Sequence, residues 1–279
     1  SATINLYKNF DITPFVSFRK LDASQDLDAG GNLVQATVNQ SGYHRTPTEI
    51  ENKGSLKQQI YGLALQYNRN QLGIGAVAYQ SEYGNSFITQ TAVYDRFSFT
   101  GNSLTNVGVH YNYTYKNIYF FGEAGKSLNS GLAHVNGALI SLTPAISAAI
   151  TYRNYAKNFH NFFNQAVAEA SEAVNEQGLY AGLNITPNKR WTFSAYGDYF
   201  QFPWLKYRVD APSKGYEILG QAIYTPSKTF KALARFKTEN KQQNTDLDVP
   251  INFLDDVKKE GYRIEVSWQI NKKWNFISH

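Results

Sequence analysis

Few residues of this sequence have the types and spacing that chemistry requires. None of the five histidines stands at a spacing typical of a metal site, and no cysteine is present to act as ligand, nucleophile or disulfide partner. The histidines are His44, His110, His134, His160 and His279. We therefore expect no metal ion and no other cofactor.

A hydrolase would need a histidine held beside a serine or aspartate on neighbouring elements. His110, Ser194 and Asp198 are the residues that could serve, but no nucleophile motif surrounds Ser194. We therefore expect that the chain is not an enzyme. Of the functions considered for this chain, hydrolysis is the one that the sequence supports least.

Alternation of apolar and polar residues with a period of two is the dominant pattern. Residues 261–270 alternate tyrosine, isoleucine, valine and tryptophan with arginine, glutamate, serine and glutamine. The pattern recurs in residues 105–115, 179–186, 190–201 and 230–237. It predicts strands with two chemically different faces. Since no run approaches the roughly 18 consecutive apolar residues of a spanning helix, a membrane would have to be crossed with strands.

Short turns and long connections separate these strands, with a short link at 129–131 as the exception. The turn-like breaks, rich in Pro, Asn, Lys or Ser, are 8–10, 69–71, 116–117, 144–145, 187–189, 226–228 and 271–273. The long connections are 22–54, 83–104, 156–177, 202–215 and 240–260. Strands of roughly ten residues in this rhythm are typical of outer-membrane barrels. We predict an all-β fold, an antiparallel up-and-down transmembrane β-barrel with about fourteen strands, the first and last cut short.

Aromatic residues cluster near the predicted strand ends, as the interfacial girdles of a membrane barrel do. Those expected at the membrane interface are Trp191, Trp204, Tyr207, Trp268 and Trp274. The alternative is a soluble sandwich whose core these rings fill. The polarity of the opposite strand faces favours the barrel, because a sandwich with so many long strands would need more apolar inner residues.

One connection departs from the strand pattern. Residues 159–177 combine good helix formers with apolar residues three or four apart. We predict a short helix there, in an extracellular loop.

Charged residues on the polar strand faces are expected to line the lumen. They are Arg19, Glu123, Arg153, Asp198, Glu217, Lys231, Arg235, Lys237, Arg263 and Glu265. One interpretation is a network of ion pairs that fills and stiffens a closed barrel. The other is a cation-lined passage for anionic solutes, which the basic excess at Lys231, Arg235, Lys237 and Arg263 keeps open.

Three stretches of the sequence resemble one family. They are residues 41–46 (SGYHRT) followed by Glu49, residues 175–180 (NEQGLY) and residues 202–213 (FPWLKYRVDAPS). They resemble Bacteroidota proteins that carry a helix-hairpin-helix segment, related to DNA-uptake competence proteins, ahead of a large barrel. The resemblance covers essentially the whole chain and implies further sequence at both ends. The absence of methionine agrees, so we expect residues 1–279 to be part of a longer chain and a larger barrel.

The expected function follows from the barrel and, more weakly, from this resemblance. We expect an outer-membrane protein acting in transport or secretion, with nucleic-acid uptake as the family analogy. The helix-hairpin-helix segment is not in this sequence, so no DNA-binding residue can be named. The alternative is a closed barrel that docks other envelope proteins. The net charge of +5 permits anionic partners such as lipopolysaccharide or nucleic acid without requiring them. The other expected partners are the lipid bilayer and outer-membrane or periplasmic proteins.

Overall fold

A computed structural model of the chain describes residues 1–27, 31, 33–39, 41–88, 92–245, 253–269 and 275–278. The strands are β1 (Ile4–Tyr7), β2 (Phe10–Leu27), β3 (Leu33–Asn39), β4 (Leu56–Arg69), β5 (Leu72–Phe87), β6 (Gly101–Tyr115), β7 (Ile118–Ser127), β8 (Leu132–Thr143), β9 (Ile146–Tyr155), β10 (Glu176–Asn188), β11 (Trp191–Phe202), β12 (Ser213–Ser227), β13 (Phe230–Asn244), β14 (Leu254–Gln269) and β15 (Asn275–Ser278). Helix α1 (Pro47–Glu51) and a 3₁₀ turn (Val93–Asp95) complete the described elements.

The strands form one 15-stranded sheet. β4 pairs antiparallel with β2 on one side and with β5 on the other, and the later strands follow in chain order. β3 is an addition, antiparallel to the end of β2 and joined to β5 by one parallel bridge. Without β3, fourteen antiparallel strands run up and down, with β1 and β15 the short ones. The prediction of an all-β, up-and-down antiparallel sheet of about fourteen strands is thus confirmed.

The tight connections fall where the turn-forming residues stand. Asn9, Asn70 and Asn129 adopt positive φ angles of 70°, 52° and 61°, and Lys116 adopts 52°. Asparagine tolerates this left-handed conformation because its short side chain can bond to nearby backbone. The predicted turn at 271–273 lies outside the described residues.

The chain divides into two compact units. Unit 1 comprises Ser1–Asn112, Glu123–His134 and Tyr155–Gln165, and unit 2 comprises Tyr113–Gly122, Val135–Asn154 and Ala166–His279. In unit 1, buried Ala23, Leu56, Tyr83, Phe87 and Leu104 form an apolar cluster. The partly buried side chains packed against it are Leu21, Val38, Phe99 and Phe162.

Along part of the strands in each unit, the two faces are reversed relative to a water-soluble sheet. On β11, the apolar residues Trp191, Phe193 and Tyr199 are 38%, 41% and 48% exposed, whereas Asp198 between them is half-buried. On β6, Val109 is 56% exposed and Asn106 is 3% exposed. We call these sides the apolar face and the polar face. The predicted alternation is therefore present, with the apolar side outermost.

The predicted helix at 159–177 is wrong. The structure has no helix there: residues 156–175 are irregular, and β10 begins at Glu176. The backbone is held instead by side chains, since Ser127 Oγ accepts the N–H of His160 and Glu176 accepts those of Glu169 and Ala170. Tertiary bonds of this kind override a helix propensity that is worth only fractions of a kcal/mol per residue.

Among the described residues, no helix is long and apolar enough to cross a membrane.

Helix α1 begins at a capping box: the Thr46 hydroxyl accepts from Glu49 N–H, and the Glu49 carboxylate accepts from Thr46 N–H. The Thr-Pro-Thr-Glu sequence was the available signal for this helix.

Candidate functional site on the polar face

The most enclosed group on the polar face of unit 2 is an ion cluster. Arg153 from β9 and Glu176 from β10 are both fully buried, and Arg153 Nε lies 2.5 Å from Glu176 Oε1. Asp198 from β11 accepts from Arg153 Nη1 and Nη2 at 2.8 and 3.0 Å. The guanidinium thus binds Asp198 bidentately through Nη1 and Nη2 and Glu176 through Nε, which suits its planar fork. Buried charges of this kind are tolerated because they are paired.

Glu176 also holds a segment of the preceding connection. Its carboxylate accepts Glu169 N–H at 2.9 and 3.0 Å and Ala170 N–H at 3.1 Å. Lys241 of β13 adds an ion pair to Glu169, with 2.5 Å between Nζ and Oε1. We call residues 166–175 the strap. It is fixed to the polar face through polar contacts with β10 and β13.

Gly178 provides the space that this cluster needs. A Cβ at this position would lie 2.4 Å from Arg153 Cζ, so any side chain would displace the guanidinium. Two residues of the run 175–180, Glu176 and Gly178, therefore have linked roles. Glu176 supplies the charge and Gly178 supplies the room for Arg153.

Asn175 joins the strap to the connection between β11 and β12. Its amide donates to the carbonyls of Trp204 and Leu205 at 2.9 and 3.3 Å and accepts Trp204 N–H at 2.8 Å. Its backbone has a positive φ of 55°. The runs 175–180 and 202–213, far apart in sequence, thus meet in the structure.

Lys206 lies in the same connection, with Nζ 3.4 Å from the centroid of the Phe202 ring. Burial lowers the pKa of Lys206, and repulsion from Lys241 lowers it further. The cation–π contact offsets part of this cost. Tyr207 is 65% exposed and Trp204 is half-buried.

The basic residues of β13 and β14 lie on the polar face with partners that differ in charge. Arg235 donates twice to Gln221 Oε1, at 2.8 and 2.6 Å, so its partner is neutral. Arg263 pairs with Glu265 at 2.7 Å. Arg235 and Arg263 stand directly opposite each other in the strand register. Two positive charges therefore face each other on this part of the polar face, and like charges in that arrangement repel.

Lys237 is neutralised more fully than Arg235. Its Nζ lies 2.8 Å from Glu217 Oε2 and 3.8 Å from Glu239 Oε2, and Tyr196 also donates to Glu217. Lys231 is exposed near the turn end of β13.

In unit 1, Arg19 belongs to a polar network. Arg19 Nε donates to Gln58 Oε1 at 2.5 Å, and Gln58 Nε2 donates to Tyr83 Oη at 3.1 Å. The guanidinium lies 4.9 Å from the Phe163 ring centroid. The other predicted lumen residue of this unit, Glu123, is exposed.

The three residues considered for hydrolysis each have other partners. His110 Nε2 lies 3.0 Å from Gln66 Oε1, Ser194 donates to Asn184, and Asp198 binds Arg153. No cluster of three or more metal-ligating side chains occurs in the part of the chain that the structure describes.

The motif at residues 41–49 is internally bonded. His44 Nε2 lies 2.7 Å from Asp22 Oδ2, and the Arg45 guanidinium lies 3.9 Å from the Tyr43 ring centroid. Hydrogen bonds from the Arg45 N–H, the Arg45 side chain and the Thr46 N–H lower the pKa of Glu49. The motif therefore caps helix α1 and ties it to β2.

The predicted interfacial tryptophans of the strands, Trp191 and Trp268, are exposed at 38% and 49% on the apolar face. Trp191 packs on Tyr224, with 4.5 Å between ring centroids. Trp274 lies outside the described residues.

An open cavity of about 590 Å³ lies on unit 2 at the turn ends of its strands. Its walls include the rings of Tyr119, Tyr180 and Tyr196 and the small side chains of Ser147 and Ser194. Sequence reasoning did not identify this space, because it depends on which small and large residues face one another across strands.

The sequence matches no protein-family model and no curated protein.

Proposed function

We propose that this chain is the membrane-embedded part of an outer-membrane β-barrel, in which the sheet closes, and that it acts in transport or secretion across the outer membrane. The observation that carries this proposal is the reversed polarity of the strands. Val16 and Phe18 on β2 are 58% and 65% exposed, and Tyr262 and Ile264 on β14 are 76% and 71% exposed. Exposing so much apolar surface to water is unfavourable at about 25 cal/mol per Å², whereas lipid is the matching solvent.

Closure is the physical consequence of putting such a sheet in lipid. An open sheet edge would leave backbone N–H and C=O groups unpaired in hydrocarbon, at a cost of several kcal/mol each. The bilayer and lipopolysaccharide are therefore the first partners of the chain. The further strands that the family resemblance implies would belong to the same barrel.

The charge on the polar face supports passage of anionic solutes. Arg235 donates to the neutral side chain of Gln221 rather than to a carboxylate, and Arg263 stands opposite it. Rings of basic side chains of this kind select anions in pores. Nucleic-acid uptake is the specific form of this function that the family resemblance implies.

Ion conductance of the full-length protein in planar bilayers tests this proposal. We expect a stable, anion-preferring conductance whose preference weakens or reverses in Arg235→Glu and Arg263→Glu. Lys258→Glu is the charge-matched control, because Lys258 lies on the same strand as Arg263 but pairs with Glu260 and shares the side of Tyr262. An unchanged preference in all three variants, or no conductance, would overturn the proposed anion passage.

Nucleic-acid uptake has its own test. Binding of DNA by the full-length protein should weaken steeply as salt rises, because phosphate contacts release counterions. No binding at low salt contradicts the uptake hypothesis and leaves the general transport proposal standing.

The second candidate function is a closed structural barrel that docks other envelope proteins. It is favoured by the pairing of Arg153, Lys237 and Arg263 with carboxylates. A silent barrel in the conductance experiment, together with a protein that co-purifies stoichiometrically from the membrane, is the result that this alternative predicts.

A further inference from the structure

The strap is held to the polar face with little apolar packing. Only Ala173 and Asn175, at 4% and 9% exposure, are buried in this segment, whereas Val167 is 60% exposed. The strap also has no regular secondary structure, so its backbone groups need partners elsewhere. Segments with few buried apolar contacts open locally at low free-energy cost.

The carboxylate of Glu176 is a contact that fixes the middle of the strap. It accepts the backbone N–H groups of Glu169 and Ala170 on one side and Arg153 Nε on the other. Arg153 keeps a bidentate partner in Asp198. Loss of the charge at position 176 would therefore free the strap without leaving the guanidinium unpaired.

Two further contacts hold the strap. At the C-terminal end, the Asn175 amide is fixed by contacts with Trp204 and Leu205. Toward the middle, Lys241 pairs with Glu169 at the side-chain level. The strap is thus held at Asn175 and, through the backbone N–H groups of Glu169 and Ala170, at the carboxylate of Glu176.

The strap also lies where a lid would act. Arg153 and Glu176 stand at the ends of β9 and β10 that the long connection joins, whereas the 590 Å³ cavity of the same unit lies at the turn ends. The strap and the cavity thus lie at opposite ends of the strands of this unit.

We propose that the strap is a lid over the polar face of unit 2, and that Glu176 is the latch that holds it closed. This inference rests on the proposed passage and adds a gate to it. The latch consists of hydrogen bonds from two strap amides to one buried carboxylate. Its release exposes the loop end of the polar face.

The first experiment measures strap opening directly. The chain has no cysteine, so Ala173→Cys provides one buried thiol within the strap. In the folded full-length protein in lipid vesicles, we expect slow labelling by a maleimide reagent. Adding Glu176→Gln should speed labelling about tenfold or more, because hydrogen bonds to a charged acceptor are lost.

Two comparison variants in the same Ala173→Cys background separate the latch from a general loosening of the fold. Asp198→Asn breaks the other half of the Arg153 ion pair and touches no strap atom, so labelling should stay close to that of Ala173→Cys alone. Glu260→Gln is the matched control, since it breaks an exposed ion pair with Lys258. Equal labelling in the Glu176→Gln and Ala173→Cys proteins, or equal acceleration by Asp198→Asn, would overturn the latch.

If Glu176→Gln does not fold, Glu169→Gln weakens the strap through the ion pair with Lys241 and should raise the labelling rate to a smaller extent. An unchanged rate in that variant would then overturn the proposal. Conductance provides the second readout. Faster labelling with a larger open fraction supports both lid and passage, whereas faster labelling of a silent barrel supports the lid and refutes the passage.

Discussion

The two halves of the connection between β9 and β10 differ in their anchoring. Residues 155–165 belong to unit 1, where aromatic packing adds to the hydrogen bond between Ser127 and His160. The ring centroid of Phe162 lies 5.4 Å from that of Phe87, 5.5 Å from that of Tyr83 and 5.8 Å from that of Phe99. The strap, residues 166–175, belongs to unit 2 and is held by charges and hydrogen bonds through Glu176. Adjacent segments of one irregular connection therefore depend on different physics.

The difference predicts how each half fails. Apolar anchoring gains free energy in proportion to buried area, and it degrades gradually as contacts are removed. A buried ion pair contributes little net free energy when complete, but it is costly once one partner is missing. The unit 1 half should thus be sensitive to the loss of side-chain volume and to the charging of a buried group. The unit 2 half should be sensitive to the loss of one charge from its ion pairs.

Removal of Arg153 should have the largest effect. Arg153→Met leaves the buried carboxylate of Glu176 and that of Asp198 without their cation. We expect a loss of about 3–5 kcal/mol in the free energy of unfolding. Urea unfolding in lipid vesicles, followed by tryptophan fluorescence, measures it.

The matched control for this prediction replaces all three charges. The combination Arg153→Met, Glu176→Leu and Asp198→Leu should recover most of the lost stability, because an apolar replacement of a buried network is often close to neutral. If the triple variant is as unstable as Arg153→Met alone, the unpaired carboxylates are not the cause of the lost stability.

Truncation of Phe162 is expected to come second. Phe162→Ala removes a partly buried ring from the cluster of Tyr83, Phe87 and Phe99, and should cost about 3 kcal/mol, the lower end for a phenylalanine. Phe163→Ala is the control, since this ring is 39% exposed and should cost less. Equal losses for the two would show that cluster packing does not anchor this half.

The ionic anchor lies partly within reach of the sequence. Alternation predicted the strands and the face on which Arg153 and Asp198 stand, because side-chain direction in a strand follows directly from the period of two. The partner Glu176 was missed because residues 159–177 were interpreted as helical. A helix propensity is local, whereas the contacts that hold the strap come from β9, β10 and β13.

Other gaps have similar causes. β2, β5 and β13 continue to Leu27, Phe87 and Asn244, into stretches that the sequence predicts as long connections. Strand pairing is made by backbone hydrogen bonds and does not require apolar side chains, so hydropathy cannot mark the strand end. Pairing of Arg235 with Gln221 rather than with a carboxylate depends on strand register, which one sequence does not reveal.

Acidification should weaken the unit 1 half through His160. Burial lowers the pKa of His160 below its ordinary value of 6.5, so the unfolded chain takes up the proton at a higher pH than the folded chain does. Stability should therefore be full above pH 6.5 and fall as the pH drops from there to the lowered folded pKa. Urea midpoints measured across this window should show the slope, and His160→Gln should lack it. A slope that persists in the variant would assign it to another group.

The smallest expected effect is that of replacing Lys241, a partly exposed residue that pairs with the strap. Lys241 pairs with Glu169 and Glu239 at 2.5 and 2.8 Å, and its side chain is 26% exposed. Lys241→Gln should cost about 1 kcal/mol or less, because partly hydrated ion pairs gain little over water. The loss should shrink as salt rises, since ions screen such a pair. Phe162→Ala, measured in the same salt series, should keep its loss, and a salt-dependent loss there would remove the contrast between the two anchors.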